Sequence, residues 1–467
     1  MSIINWLTGP FNSFIWSYIL IIGLLALGFY FTFRTNFVQI RLFKQMLKLT
    51  VEKNPGSQGV SAFQAFTISA ASRVGTGNIA GVALAIAVGG PGAVFWMWLI
   101  AIIGMATAFI ESTLAQVYKV KDGDTFRGGP AYYMEKALGL RKLGVVFAVL
   151  LAITFGFIFN SVQSNTIAHS FASAFGFDYT AVGVALVVLT AIIIFGGVKR
   201  IVSFTQVIVP VMAVFYIGLA IYVLATNITK VPEMFMLIVT NAFGFNEIVG
   251  GGIGAAIMQG VRRGLFSNEA GMGSVPNAAA AANVTHPAKQ GLVQSLGVFF
   301  DTIMVCSATA FIILLSGLYT NVTPETTGVV LTQNSLAGQL GNWAQYFVAI
   351  AVMFFAFSSI IGNYYYGETN IEFINGNKIM LLVYRLVVLA MVMFGAMINM
   401  QLAWDLADVF MGLMTIINLV IIFKLSKIAF AVSDDFNKQL KEGKDPVFKA
   451  SSIKGLKNTE CWGDGEK

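Results

Sequence analysis

The stretch ASRVGTGNIAGVALAIAVGGPGAVFWMW, residues 71–98, decides how the rest of the chain must be read. It is apolar enough to sit in a bilayer, yet Gly75, Thr76, Gly77 and Asn78 interrupt what would otherwise be one continuous helix. Glycine loses more backbone entropy in a helix than any other residue and leaves backbone amides uncovered, so two of them around a threonine favour local unwinding. In hydrocarbon each unsatisfied backbone group costs several kcal/mol, and an unwound segment survives only where protein, water or a ligand supplies partners. The stretch therefore predicts a broken membrane helix with something polar bound at the break.

The composition supports a membrane setting. Of 467 residues, 57% are apolar and 11% charged, with a mean hydropathy of +0.77, far from soluble domains. Glycines (47) far outnumber prolines (10), which suits close helix packing in lipid. The net charge of +7 does not read as nucleic-acid binding, because the Lys and Arg residues are scattered over short loops and a C-terminal tail. Cys306 and Cys461 lie too differently to predict a disulfide, and with two isolated histidines, His169 and His286, no metal-ligating set is present. The first apolar segment is long and lacks a basic start, so it is read as a helix of the mature protein rather than a signal peptide.

A spanning helix needs about 20 apolar residues, and eleven candidate spans follow: 13–33, 61–88, 92–118, 143–171, 181–195, 204–225, 247–282, 291–318, 343–368, 379–400 and 402–423. The piece 37–53, in which Arg41, Lys44 and Lys48 alternate with Phe37, Ile40, Phe43, Met46 and Leu47, is expected to lie along the membrane surface. Basic residues fall at 34–53, 119–142, 199–200, 289, 378 and the tail, all on one side, leaving Lys230 alone among the opposite loops. By the positive-inside rule the chain is a multi-pass protein of the cell membrane, with its N-terminus outside and its C-terminus in the cytoplasm.

Without the first helix, ten spans remain, and the first of each five is glycine-interrupted. An odd number of helices per half gives the halves opposite topology, the signature of an inverted repeat with a binding site at the midplane. The expected fold is thus an all-α membrane protein of 11 transmembrane helices. It has an inverted 5+5 repeat with a discontinuous first helix in each half, plus one extra N-terminal helix. It divides into an N-terminal helix and surface segment (1–56), two repeats (57–228 and 229–428) and a tail (429–467). The segment 247–282 would span about 54 Å as a helix, at about 1.5 Å per residue, against a core of about 30 Å. It is expected to break within RRGLFSNEAGMG (262–273), with Pro276 offering a further kink.

Several residues at membrane depth carry candidate chemistry. Thr76, Gly77 and Asn78 open the outer half of the first broken helix, where free amides and the positive end of the helix dipole suit a carboxylate. The alternative for these glycines is close helix packing. The carbonyls of Ala71 and Val74, before the break, have the opposite sign and suit a small hard cation. Ser358 and Ser359 either join such a cation or bond back to their own helix. Arg73, Glu269 and Asp301 are buried charges for coupling or gating, with Arg73 expected to pair with Glu269 or Asp301, and Arg262 and Arg263 are further candidates for the interior. Glu111, Glu247 and Glu368 are read as solvated or gating groups near span ends. Gln163, Asn165 and Asn363 offer side-chain amides to a polar substrate or to neighbouring helices, and Tyr364, Tyr365 and Tyr366 could close a cavity.

These residues also carry a resemblance. GGPGAVFWMWLIAIIG (89–104), GTGNIAGVA from Gly75 and RRGLFSNEAGMGSVPNAAAAA from Arg262 resemble the characteristic blocks of the alanine or glycine:cation symporter family, also called sodium:alanine symporters. The similarity covers nearly all of 16–423. It implies the inverted-repeat fold of the bacterial leucine transporter and sodium-coupled, in some members proton-coupled, uptake of small neutral amino acids. It also implies a substrate carboxylate at the amides of Thr76 and Gly77, with Gln163 and Phe266 lining the pocket. A sodium ion would sit among the carbonyls of Ala71, Val74 and Phe355 and the hydroxyls of Ser358 and Ser359. Asn78 is similar to the Asn of a second sodium site in leucine-transporter types, but Arg73 stands where those have a small residue, which weighs against two sodium ions. At Asn363, members resembling alanine and glycine specialists carry a Trp; the smaller amide implies room for glutamine or asparagine as well as alanine.

The expected function is a sodium-coupled symporter working by alternating access, its partners a small neutral amino acid and the lipid bilayer, with no nucleic acid. A passive channel would need a continuous polar stripe, and an enzyme a nucleophile with its base or a metal set; the sequence offers neither.

Overall fold

The computed structural model describes residues 3–56, 58–244 and 252–463. Within these, eight helices are long and apolar enough to cross a membrane, and a ninth span is bent at its centre. In chain order the elements are α1 (Leu7–Arg34), α2 (Val38–Arg41), α3 (Phe43–Thr50), α4 (Ala62–Arg73), α5 (Gly77–Gly89) and α6 (Ala93–Val117). A short hairpin, β1 (Val120–Asp122) and β2 (Thr125–Arg127), leads to α7 (Pro130–Leu138), α8 (Arg141–Phe175), α9 (Tyr179–Ile194), α10 (Gly197–Thr226) and α11 (Val231–Ala242). Then follow α12 (Gly252–Asn268), α13 (Val275–Ala281), α14 (Pro287–Ser316), α15 (Val329–Leu340), α16 (Trp343–Ile374), α17 (Lys378–Met397) and α18 (Met400–Lys441).

The bent span is α4 with α5, which meet at 50° across a break of three residues, where the sequence placed it. Ser61 begins α4 with a capping box: its hydroxyl accepts from the Gln64 amide while the Gln64 side chain accepts from the Ser61 amide. The second interruption is narrower than expected and lies later. α12 stays helical through Arg262 and Arg263 to Asn268, and the chain leaves the helix only over 269–274. Pro276 does not kink a helix; it sits in the first turn of α13, where its missing N–H costs nothing. Glu247 lies outside the described residues.

In the segment 37–53 the buried apolar side chains are Val38, Leu42, Met46 and Leu49, with Gln39 and Thr50 buried beside them, whereas Ile40 and Leu47 face outward, and through this stripe α2 and α3 dock on the helix core. One further expectation needs correction: Glu111, expected near solvent, is fully buried in α6.

Packing divides the helices into two groups. α6 lies against α12, α13 and α14, which also contact α4 and α5; α8 lies against α16 and α17, with α9 behind them. α10 touches both groups, through α4 on one side and α16 on the other. α1 lies along α6 and α18, and the Trp16 indole N–H donates to the Asp408 carbonyl at 3.1 Å. At the end of the molecule rich in Lys and Arg, the chain beyond α18 folds back over the helix ends. The Phe448 amide donates to the Thr285 carbonyl, and the Trp462 indole N–H donates to the Gln116 carbonyl at 2.8 Å. Lys289 joins Glu52 and Asp445, and Gln116 and Lys119 donate to the terminal carbonyls of α13, among them Ala282 O at 2.9 and 2.8 Å.

Candidate functional site

The two breaks face each other at the centre of the bundle. In the first, Val74 leaves helical geometry (φ −80°, ψ 80°) and the freed amides find side chains. The Gly75 amide donates to Asn78 Oδ1 at 2.9 Å, and the Thr76 amide donates to Gln163 Oε1 at 3.0 Å, the oxygen that also accepts from the Thr76 hydroxyl. Gln163 Oε1 thus satisfies both donors of Thr76. Space is short here: a Cβ at Gly75 would collide with Ser359 Oγ, and one at Gly77 would stand 3.0 Å from Phe266 and 3.2 Å from the Ser267 backbone, so that these neighbours would have to shift.

The second break is held from outside. Glu111 accepts from the Gly271 amide at 3.0 Å, the Gly273 amide at 3.2 Å and Asn418 Nδ2 at 2.9 Å. Glu269 itself has φ +58°, a strained conformation for a residue with a side chain, and strain of this kind concentrates at functional sites. Its carboxyl bridges the breaks: Oε1 lies 2.7 Å from Ser72 Oγ, and Oε2 accepts from the Ser274 hydroxyl at 2.6 Å. Asp301 forms a second bridge, accepting from Asn78 Nδ2 at 2.7 Å and Ser267 Oγ at 2.6 Å.

Beside the first break four of the expected oxygen donors meet. Ser359 Oγ donates toward Ala71 O at 2.8 Å and Phe355 O at 3.1 Å, and Ser358 Oγ donates to Phe355 O at 2.9 Å. Ser358 therefore bonds back to its own helix, while Ser359 also reaches across to α4. Val74 forms the C-cap of α4, its amide donating to Ala70 O. Carbonyls and hydroxyls are hard oxygen ligands, the kind a small alkali cation takes. Among the described residues no group of three or more His, Cys, Asp or Glu side chains is placed to hold a metal ion.

Arg73 does not form the expected ion pair. Its Nη1 donates to the Gln294 carbonyl at 3.1 Å, while Nε and Nη2 have no hydrogen-bond partner although the side chain is buried. Asn363 bonds to Ser72 and, through Nδ2, donates to Asn160 Oδ1 at 3.1 Å. Asn165 turns to α17, donating to Gly395 O and Ile398 O, and so joins helices. Tyr364 accepts from Arg385, which also pairs with Glu368.

Phe266 sits between Phe159 and Trp404, its ring tilted against both with ring centres 4.7 Å apart on each side. Arg263 lies over the Trp404 ring at 4.7 Å, and both Arg262 and Arg263 donate to Asp408 Oδ2. Reading the sequence missed Asp408, Asn160 and the role of Glu111. Asp408 carried a usable signal, a charge deep in an apolar span; Asn160 acquires its meaning only from Asn363 on α16, and Glu111 only from the second break.

The chain is 58% identical over 453 residues to the amino-acid carrier protein AlsT of Bacillus subtilis (strain 168), covering 97% of this chain and 96% of that one. It is 55% identical over 462 residues to the probable sodium/glutamine symporter GlnT of the same organism, covering 98% and 96%. Its fold matches the crystal structure of MhsT in complex with L-phenylalanine, with a TM-score of 0.56 at 15% identity over 82% of this chain and 90% of that one. The sequence profile of the sodium:alanine symporter family matches residues 1–450, and with two helix breaks opposed at its centre the chain belongs to that family of transporters.

Proposed function

We propose that the protein imports small neutral amino acids, alanine and glycine together with glutamine or asparagine, driven by sodium entering with the substrate. The observation that carries this reading is the meeting of the two breaks. The amides of Gly75 and Thr76 meet the side-chain oxygens of Asn78 and Gln163, and the oxygens of Ala71, Phe355, Ser358 and Ser359 gather beside them. An amino acid brings a carboxylate suited to the first and sodium suits the second, so both ligands favour one arrangement of α4 and α5, and coupling follows as a shared free energy. In this reading Thr76, Gly77 and Asn78 hold the carboxylate once Gln163 gives way, and Phe266 and Asn363 border the side-chain space. Val74 completes the sodium ligands. The eleven-span inverted repeat, with α9 and the α12–α13 pair counted as spans, and the N-out, C-in topology belong to the same proposal.

Uptake into proteoliposomes tests it: radiolabelled alanine, glycine and glutamine should accumulate against their gradients under an imposed inward sodium gradient. Equilibration without an ion requirement would establish a channel instead. The glutamine arm is supported by the name of the relative GlnT, a probable sodium/glutamine symporter, and by the size of Asn363. Asn363→Trp should depress glutamine uptake more than alanine uptake. Equal loss of both would reject the assignment of side-chain selectivity to this position.

A further inference from the structure

The hydrogen bonds around Asn363 form a directed chain whose last member must supply a proton. It starts at an obligate acceptor, the carbonyl of Gly156, within a wide turn of α8 (Thr154–Phe159). Asn160 Nδ2 donates to that carbonyl at 3.1 Å, which turns Asn160 Oδ1 toward Asn363. Asn363 Nδ2 donates to Asn160 Oδ1 at 3.1 Å, which turns Asn363 Oδ1 toward Ser72, 2.6 Å from its hydroxyl oxygen. Amide orientations are assigned from their partners. Rotating Asn363 would force Asn160 to rotate too, and would set Asn160 Oδ1 against the Gly156 carbonyl, two acceptors facing each other.

Ser72 has one proton, and the chain commits it to Asn363. Yet Ser72 Oγ also lies 2.7 Å from Glu269 Oε1, a separation that requires a proton between the two oxygens. The proton must therefore come from Glu269. The remaining oxygen of its carboxyl accepts from Ser274. Every member of the chain is buried.

We infer that Glu269 is a proton-binding site: it is a neutral acid in this conformation, and the proton it releases and regains during transport is what sets the orientation of Ser72 and Asn363. That Glu269 is protonated rests on geometry alone; that its proton moves with each cycle rests on the symport reading above. On ionisation the Ser72 hydroxyl turns to the carboxylate, Asn363 loses its donor, and the substrate space changes. The charged and titratable groups facing Glu269 are Arg73 from α4, Asp301 from α14 and Tyr366 from α16. Arg73, with two unpartnered nitrogens, is the group available to meet the new negative charge.

Infrared spectroscopy of the reconstituted protein tests the proton directly. At neutral pH the unaltered protein should show the carbonyl stretch of a protonated carboxyl that Glu269→Gln removes; loss of only a carboxylate band in that variant would overturn the proposal. Should Glu269→Gln fail to fold, Asn160→Leu serves as an independent variant. It frees Asn363 to turn its amide N–H toward Ser72, so Glu269 can ionise without loss, and the midpoint of the band's pH titration should fall by about one unit, the equivalent of one buried hydrogen bond. An unmoved midpoint would overturn the proposal. Alanine binding by the unaltered protein should be strongest below that midpoint and weaken as pH rises through it, and binding that does not respond to pH there refutes the link to transport. Because the infrared signal needs no transport, its failure is separable from failure of the symport reading, which would show as absent concentrative uptake.

Discussion

Gly77→Val should abolish amino-acid binding while leaving the protein folded. The first Cβ alone would approach Phe266 to 3.0 Å and the Ser267 backbone to 3.2 Å, and valine adds two methyl groups beyond it. The strain cannot be relieved by one flexible side chain, because Phe266 is already wedged between Phe159 and Trp404. Overpacking of this kind costs about 1–3 kcal/mol of stability, small enough for the protein to stay folded, and binding is lost because the methyl groups cover the amides offered to the carboxylate. Equilibrium binding of labelled alanine, with thermal unfolding as a check on folding, measures the effect. Undiminished affinity would contradict the placement of the carboxylate at this break.

The second large effect is expected at Asp408. Its carboxylate is the shared partner of two buried guanidinium groups, and Asp408→Ala leaves Arg262 and Arg263 without it in a site also lined by Trp16 and Trp404. Removing one side of a buried ion pair costs about 3–5 kcal/mol, because the remaining charge stays desolvated. Thermal unfolding of Asp408→Ala should therefore occur well below that of the unaltered protein, and Asp408→Asn, which retains an acceptor, should lie between them. Equal unfolding temperatures for all three would show that the cluster does not hold α12 to α18.

Much of this architecture could be read from residues alone, for identifiable reasons. The break at Gly75–Asn78 was legible because glycine and a short polar run in an apolar segment leave few alternatives in lipid. The second break was placed too early, since Arg262 and Arg263 looked too polar for a membrane helix; Asp408, 145 residues beyond Arg263, pairs with both and lets the helix continue. Ser359 was visible as a deep hydroxyl, but its reach to Ala71 depends on how α16 crosses α4. The Arg73 expectation failed because opposite charge in a sequence carries no geometry: the guanidinium reaches a carbonyl of α14 rather than a carboxylate.

The shortness of α13 bears on which face of the molecule yields first. Seven residues make fewer than two full turns, and a helix of that length does not persist by its own bonds. It persists because Gln116, at the end of α6, and Lys119, just beyond it, grip its last carbonyls, with Trp462 laid over the same corner. Water arriving at that corner competes for a handful of terminal bonds, whereas at the Asp408 cluster it would have to pull a pair of arginines away from their carboxylate. Of these two attachments, the corner of α13 is built as the softer latch.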